Sequence, residues 1–167
     1  FAIYFSTMAP TVSFWDTGEF IATSHILGVP HPPGSPLFLL IGKFFTLIPI
    51  SSDIAFRFNI FSPIISALTV SLLFLICNQF INRVDTKDEA KFFKMWSSLI
   101  ASLTFAFTHS HWFNAVETEV YAFSGFMTAL VVYLIMLWSK NLHKDNHIIH
   151  LIIIAHIIAL ATGHNLL

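Results

Sequence analysis

The sequence predicts an all-α integral membrane protein in which several helices cross the bilayer. Hydrophobic residues make up 56% of its 167 residues, charged residues make up 10%, and the mean hydropathy is +0.76. Soluble domains carry about 25% charged residues, so this chain has too few charges to cover a soluble surface. Four runs lack Asp, Glu, Lys and Arg (58–82, 95–116, 120–139 and 146–167), and a spanning helix needs roughly 20 such residues.

From these runs and the apolar start of the chain, we predict five spans, at about residues 1–12, 58–81, 96–108, 117–138 and 148–165. A helix of a soluble bundle would present a polar face to water, and these segments have almost none. The chain begins at Phe1 and stops at Leu167 inside apolar stretches, so we expect an N-terminal fragment of a longer polypeptide with a truncated first span. The net charge of −1 argues against a nucleic-acid partner.

Residues 13–56 form a long segment that cannot cross the membrane as one helix. Four prolines and two glycines interrupt it between Gly28 and Pro36, and proline breaks a helix interior. Helical spacing of apolar residues is found before this interruption, and an apolar run follows it. We therefore predict two short interfacial helices, at about 15–27 and 37–47, lying on the membrane surface.

Basic residues predict the orientation of the spans, because Lys and Arg accumulate in cytoplasmic loops. Six of the eight lie in the two connectors that follow the second and fourth spans: Arg83, Lys87, Lys91, Lys94, Lys140 and Lys144. The segment 13–56 and the turn at 109–119 therefore share the outer face, which is periplasmic in a bacterial inner membrane and lumenal in a eukaryote. Five acids lie on that face: Asp16, Glu19, Asp53, Glu117 and Glu119.

Asp16 and Glu19 are three residues apart and would share one face of a helix. They could form a general base or a cation site at the membrane surface. Equally, Asp16 could be a helix N-cap with Glu19 as its partner in a capping box. We expect Phe14, Trp15 and Phe20 to bury these carboxylates in part, which is costly for a charge that is neither paired nor used.

Two further groups accompany this pair on the outer side. His31 lies in a rigid HPPGSP loop, where it could contact a phosphate or a sugar hydroxyl, or simply belong to a stiff turn. Arg57 begins the second span on the side that basic residues usually avoid. Arginine binds carboxylates and phosphates through paired donors, so its partner could be Asp53 or a lipid phosphate.

A second outer cluster combines His111 with Glu117 and Glu119. Imidazole and carboxylate are ordinary ligands of divalent metals, but this spacing matches no tight ligand signature, and polar side chains that end a span are the alternative. Glu119 lies at the membrane boundary, where an unpaired acid is expensive, so it is the stronger candidate of the two acids. A divalent cation at Glu117 and Glu119 therefore stays open, and no cofactor is otherwise indicated.

Two blocks of sequence resemble a known family. APTVSFWDTGEFIA at 9–22 with LGVPHPPGSPL at 27–37, and the later WFNAVETEVY at 112–121, are similar to a bacterial membrane family common in Bacteroidetes and formerly of unknown function. That family is related to protein O-mannosyltransferases and to an animal O-mannosyltransferase of the endoplasmic reticulum. The resemblance implies a multi-span bundle of the class C glycosyltransferase (GT-C) type.

The resemblance also implies a reaction. Such enzymes transfer a sugar, here mannose or a similar hexose, from a polyprenyl-phosphate carrier to a hydroxyl of a protein or glycan acceptor. Asp16 matches their essential acid in the first outer loop, and Glu117 and Glu119 match a second acidic position. The mannosyltransferases have adjacent acids in that first loop, so the choice of base between Asp16 and Glu19 stays open.

In this inverting mechanism, Arg57 and His31 would stabilise the departing lipid phosphate, and Glu119 and His111 are the further candidates for binding the substrate. Two other functions remain as alternatives to the enzyme. A transporter or flippase for a lipid-linked substrate would need broken helices and polar groups at the membrane midplane. A non-catalytic assembly subunit would use the outer acids only as helix caps.

Overall fold

The computed structural model describes residues 1–32, 34–84, 90–142 and 147–162, and all regular structure in these ranges is helical. Pro33, the connector residues 85–89 and 143–146, which include Lys87 and Lys144, and the end of the predicted fifth span at 163–165 lie outside the described residues. The helices are α1 (Ala2–Thr7), α2 (Thr17–Ile26), α3 (Pro36–Leu47), α4 (Ile54–Asn59), α5 (Phe61–Val84), α6 (Lys91–Ala106), α7 (His109–Ala115), α8 (Val120–Lys140) and α9 (His147–Thr162).

Two stretches of the described chain are long and apolar enough to cross a membrane. They are Ile54–Val84, formed by α4 and α5, and Val120–Lys140, which is α8. α5 packs against both α8 and α6, and α9 packs against α8. The long helices therefore form one bundle with α5 and α8 at its centre.

Helices are present on both sides of the proline-rich loop, as α2 and α3, and their location at the membrane surface stays a prediction. α2 ends at Ile26 and is capped by Leu27, which has a left-handed backbone. The Leu27 N–H donates to the Ser24 carbonyl, and the Gly28 N–H donates to the Thr23 carbonyl. α3 starts at Pro36, where the missing N–H is not needed by the helix. The proline loop therefore stops one helix and starts the next.

The helices differ in their bounds from the predicted spans. α1 covers only Ala2–Thr7, and α6 begins at Lys91, five residues before the predicted start of the third span. The predicted turn at 109–116 is mostly the short helix α7. Asp53 accepts hydrogen bonds from the N–H groups of Ala55 and Phe56, and this N-cap starts α4 ahead of the predicted span.

A cluster of phenylalanine rings packs α2 and α3 against α4, α5 and α8. Phe38 of α3 is fully buried, and its ring centroid lies 5.5 Å from Phe20 of α2 and 5.1 Å from Phe58 of α4. It also contacts Phe61 of α5 and Phe123 of α8. Because each such ring buries a large apolar area, the position of α2 is fixed relative to α5 and α8.

Candidate functional site

Three polar side chains meet at the N-terminus of α2. Asp16 and Glu19 belong to this end of the helix, and His31 comes from the proline-rich loop. Glu19 Oε1 accepts the backbone N–H of His31 at 2.7 Å, and Glu19 Oε2 lies 2.7 Å from His31 Nδ1. Asp16 Oδ2 lies 3.8 Å from His31 Nε2. The capping-box interpretation is wrong, since Asp16 makes no side-chain cap bond and Glu19 turns to the proline loop.

The charges within this group support one another. The hydrogen bond from His31 holds the pKa of Glu19 below its usual value. The same bond, with the charges of Glu19, Asp16 and Glu119, raises the pKa of His31. The protonated form of His31 is therefore favoured beside the two carboxylates. Both oxygens of Glu19 are engaged by His31, so the carboxylate of Asp16 has fewer partners than that of Glu19.

Glu119 reaches the same region from the start of α8. Its side chain is 5% exposed and lines a cavity of about 390 Å³ together with Asp16. Burial, followed by the charges of Glu117 and Asp16, raises the pKa of Glu119 to about 7. Glu119 can therefore hold or release a proton near neutral pH, next to Asp16.

Hydrogen bonds join the two segments that the charge pattern predicted on one face. Ser13 donates to Glu117 Oε2 at 2.5 Å, and the Ala9 N–H donates to the Val116 carbonyl at 2.7 Å. Both segments lie at the same end of the bundle. Which side of the membrane this end faces stays a prediction.

Asn59 is a residue that the sequence did not single out and that connects these segments. Its Nδ2 donates to the carbonyls of Ala9 at 2.8 Å and Thr11 at 2.9 Å, and its Oδ1 accepts from Thr118 Oγ1 at 2.5 Å. Asn59 and Thr118 are fully buried. Asparagine suits this position because its amide offers donors and an acceptor at once.

The cavity beside Asp16 adjoins an apolar groove. The cavity is lined by Trp15, Asp16, Phe113, Asn114, Glu119 and Tyr121. Asn114 and Tyr121 also line a neighbouring cavity of about 440 Å³, whose walls come mainly from α5 and α8, including Leu73, Ile76 and Val132. The cavity with Asp16 and Glu119 thus adjoins a groove between the two longest apolar helices.

His111 and Arg57 lie apart from the carboxylates. His111 lines the apolar groove, and its ring centroid lies 4.5 Å from that of Phe105 with the two rings tilted. Burial lowers the pKa of His111. Arg57 donates from Nε to the Ser51 carbonyl at 2.6 Å and from Nη1 to the Thr46 carbonyl at 2.9 Å. Of the two partners considered for Arg57, Asp53 forms no ion pair with it among the described residues, and its carboxylate caps α4.

The expected burial of the first two acids is also wrong in part. Phe20 is buried in the core, whereas Phe14 is 79% exposed and Trp15 is 82% exposed. Phe20 belongs to α2, which packs on α3, while Phe14 and Trp15 precede the helix. The side chains of Asp16 and Glu19 are therefore 55% and 39% exposed, so a molecule from solution can reach both acids.

A cation could be held by three of these groups. Among the described residues, Asp16, Glu19 and His31 each offer a ligand atom within 4.8 Å of the others. Carboxylate oxygen and imidazole nitrogen suit several divalent metals. Glu117 and Glu119, the pair expected from the sequence, are not in this group. Glu117 is instead buried and bonded to Ser13.

Apolar helices and a carboxylate site at one end of the bundle together describe a helical membrane-associated protein. The chain belongs to the family described as the protein O-mannosyl-transferase TMEM260 N-terminal domain, whose family model matches residues 16–167. The expected relationship to O-mannosyltransferases is thereby confirmed. The matched region begins at Asp16 itself.

Two curated relatives carry the same name. The chain is 28% identical over 134 residues to protein O-mannosyl-transferase tmem260 of Dictyostelium discoideum, covering 79% of this chain and 15% of the relative. It is 31% identical over 136 residues to protein O-mannosyl-transferase TMEM260 of Mus musculus, covering 78% of this chain and 18% of the relative. The chain therefore spans less than a fifth of either relative. No solved structure matches it.

Proposed function

We propose that this chain forms the donor-sugar end of a membrane glycosyltransferase of the GT-C type. The whole enzyme transfers mannose or a similar hexose from a polyprenyl-phosphate carrier to a hydroxyl of a protein or glycan acceptor, with inversion at the anomeric carbon. One observation carries the proposal. Asp16 and Glu119 line a single cavity that adjoins an apolar groove between α5 and α8.

This arrangement suits a substrate that is part lipid and part sugar. The groove wall is largely hydrocarbon and belongs to helices apolar enough to lie in a bilayer, where a polyprenyl chain is at no disadvantage. The adjoining cavity offers carboxylates and the amide of Asn114 to hydroxyl groups. A lipid-linked sugar would thus place its phosphate near the boundary between the two.

Asp16 is the general base in this proposal. Its carboxylate removes the proton of the acceptor hydroxyl, whose oxygen forms the new bond to the anomeric carbon as the bond to the carrier phosphate breaks. The polyprenyl phosphate leaves with the bonding electrons. Glu19 is the weaker candidate, because both of its oxygens are engaged by His31.

His31 supplies the positive charge for the departing phosphate. Its imidazolium is favoured by Glu19 and lies within 3.8 Å of Asp16, so a charge that develops beside Asp16 would be stabilised. The corresponding role of Arg57 stays a prediction, and two of its donors are bound to backbone carbonyls. A divalent cation at Asp16, Glu19 and His31 would serve the same purpose.

The test uses the full-length protein in sealed proteoliposomes with a radiolabelled polyprenyl-phosphate mannose and a Ser/Thr-rich acceptor peptide. The proposal expects labelled peptide in which the anomeric configuration is opposite to that of the donor. A protein that moves the labelled lipid across a sealed bilayer without labelling any peptide would be a transporter, and this result would reject the proposal. Retention of configuration would reject the inverting mechanism.

A further inference from the structure

Trp15 is an aromatic side chain that the fold leaves open beside the candidate base. It is 82% exposed, and no described ring lies against it. It lines the same cavity as Asp16 and Glu119. Its indole therefore buries little apolar area in the fold and contributes little to stability.

The backbone of Trp15 is also held in an unfavourable conformation. Its φ is +58°, in the left-handed region that is unfavourable for a residue with a β-carbon and that glycine occupies freely. Gly34 occupies a comparable region at φ +92° in the proline loop. A large side chain therefore lies at the rim of the cavity, at a backbone position that glycine would occupy without strain.

A membrane-interface role explains Trp15 less well than a role in the cavity. Tryptophan is common where a protein meets the bilayer surface, and neighbouring Phe14 is just as exposed. Phe14, however, does not line the cavity, and its φ is not positive. An anchoring function would apply to both residues, whereas the cavity distinguishes Trp15 from Phe14.

We propose that Trp15 is the platform on which the hexose of the lipid-linked donor stacks, an inference that rests on the proposed function. One face of a pyranose ring presents mainly C–H groups, which pack well on an indole face. Its hydroxyls would meet the acceptor oxygens of Asp16 and Glu119 and the amide of Asn114. The cavity combines three aromatic side chains, Trp15, Phe113 and Tyr121, with convergent polar groups, which suits an occupant that is apolar on its faces and polar at its edges.

The binding test compares two lipids that differ only in the sugar. Equilibrium binding of polyprenyl-phosphate mannose and of polyprenyl phosphate alone is measured on the full-length protein in nanodiscs. Trp15→Leu should weaken binding of the mannosyl lipid about tenfold, the scale of one aromatic contact, and leave the sugar-free lipid unchanged. Trp15→Phe should recover most of the affinity, and Phe14→Leu should behave as wild type.

The turnover test separates this proposal from the proposed function. Trp15→Gly relieves the backbone strain, so a residue needed only for the turn would leave this variant fully active. The platform role instead predicts a donor KM raised about tenfold with kcat less affected. Transfer by wild type with an unchanged donor KM in Trp15→Gly and Trp15→Leu would overturn the platform alone. Absence of transfer by wild type would overturn the proposed function, and equal weakening of both lipids in Trp15→Leu would overturn the sugar contact.

Discussion

Glu119→Gln should make the protein more stable at alkaline pH and remove part of the pH dependence of its stability. In the folded chain the pKa of Glu119 is about 7, raised mainly by burial, against a usual value of 4.5. The difference of about 2.5 units corresponds to about 3 kcal/mol at about 1.36 kcal/mol per unit. Glutamine keeps the size of the side chain and never ionises.

The direction follows from proton binding. Between about pH 4.5 and pH 7 the unfolded chain has released the Glu119 proton while the folded chain retains it. The stability linked to this proton is therefore fully present below about pH 4.5 and is lost as pH rises through about 7. At pH 8 the glutamine variant should exceed wild type by up to about 3 kcal/mol, and at pH 4 the two should be equal.

The assay is thermal unfolding of the full-length protein in detergent from pH 4 to pH 8. Asp53→Asn is the control, because asparagine also caps helices well and the pKa of Asp53 is lowered, first by a hydrogen bond from Thr11. The Tm difference between Glu119→Gln and wild type should grow from pH 5 to pH 8. Parallel Tm curves for the two proteins would show that Glu119 ionises as an ordinary exposed acid.

Three further predictions concern packing and charge in the outer segment. Gly42→Ala should cost about 1–3 kcal/mol by overpacking, since its new methyl would lie 2.4 Å from a buried phenylalanine ring, whereas Gly125→Ala meets nothing within 4 Å and should leave Tm unchanged or higher; equal Tm values would contradict the packing. Asn59→Ala removes three hydrogen bonds and should cost about 3 kcal/mol in chemical unfolding at about 1 kcal/mol each; a cost below about 0.5 kcal/mol would mean that these bonds do not hold the two outer segments together. Glu19→Gln should lower the pKa of His31 measured by NMR titration, and an unchanged pKa would refute their pairing.

Local sequence pattern was enough to predict the two helices α2 and α3. Four prolines and two glycines within a short stretch cannot lie inside a helix, and the helices α2 and α3 follow on either side within a few residues of the predicted bounds. The apolar runs likewise predicted α5 and α8. These features depend on neighbours in sequence, which is why sequence reasoning found them.

The features that the sequence did not predict depend on contacts between residues far apart in the chain. Glu19 looked like a capping residue because of its spacing from Asp16, but the proline loop brings His31 within 2.7 Å of it. Asn59 is unremarkable in sequence, and its partners lie about 50 residues before it and 59 after it. Tertiary hydrogen bonds to a charged group outweigh a local cap, and nothing in the local pattern reveals them.

The most direct test of Asp16 as the general base compares Asp16→Asn with Glu19→Gln in the full-length protein. Single-turnover transfer from polyprenyl-phosphate mannose is measured alongside donor binding. Asp16→Asn should slow transfer by about 10²- to 10⁴-fold, the usual contribution of a general base, with the donor still bound, while Glu19→Gln retains far more activity. Wild-type transfer rates in Asp16→Asn would contradict the assignment, and loss of transfer only in Glu19→Gln would move the base to Glu19.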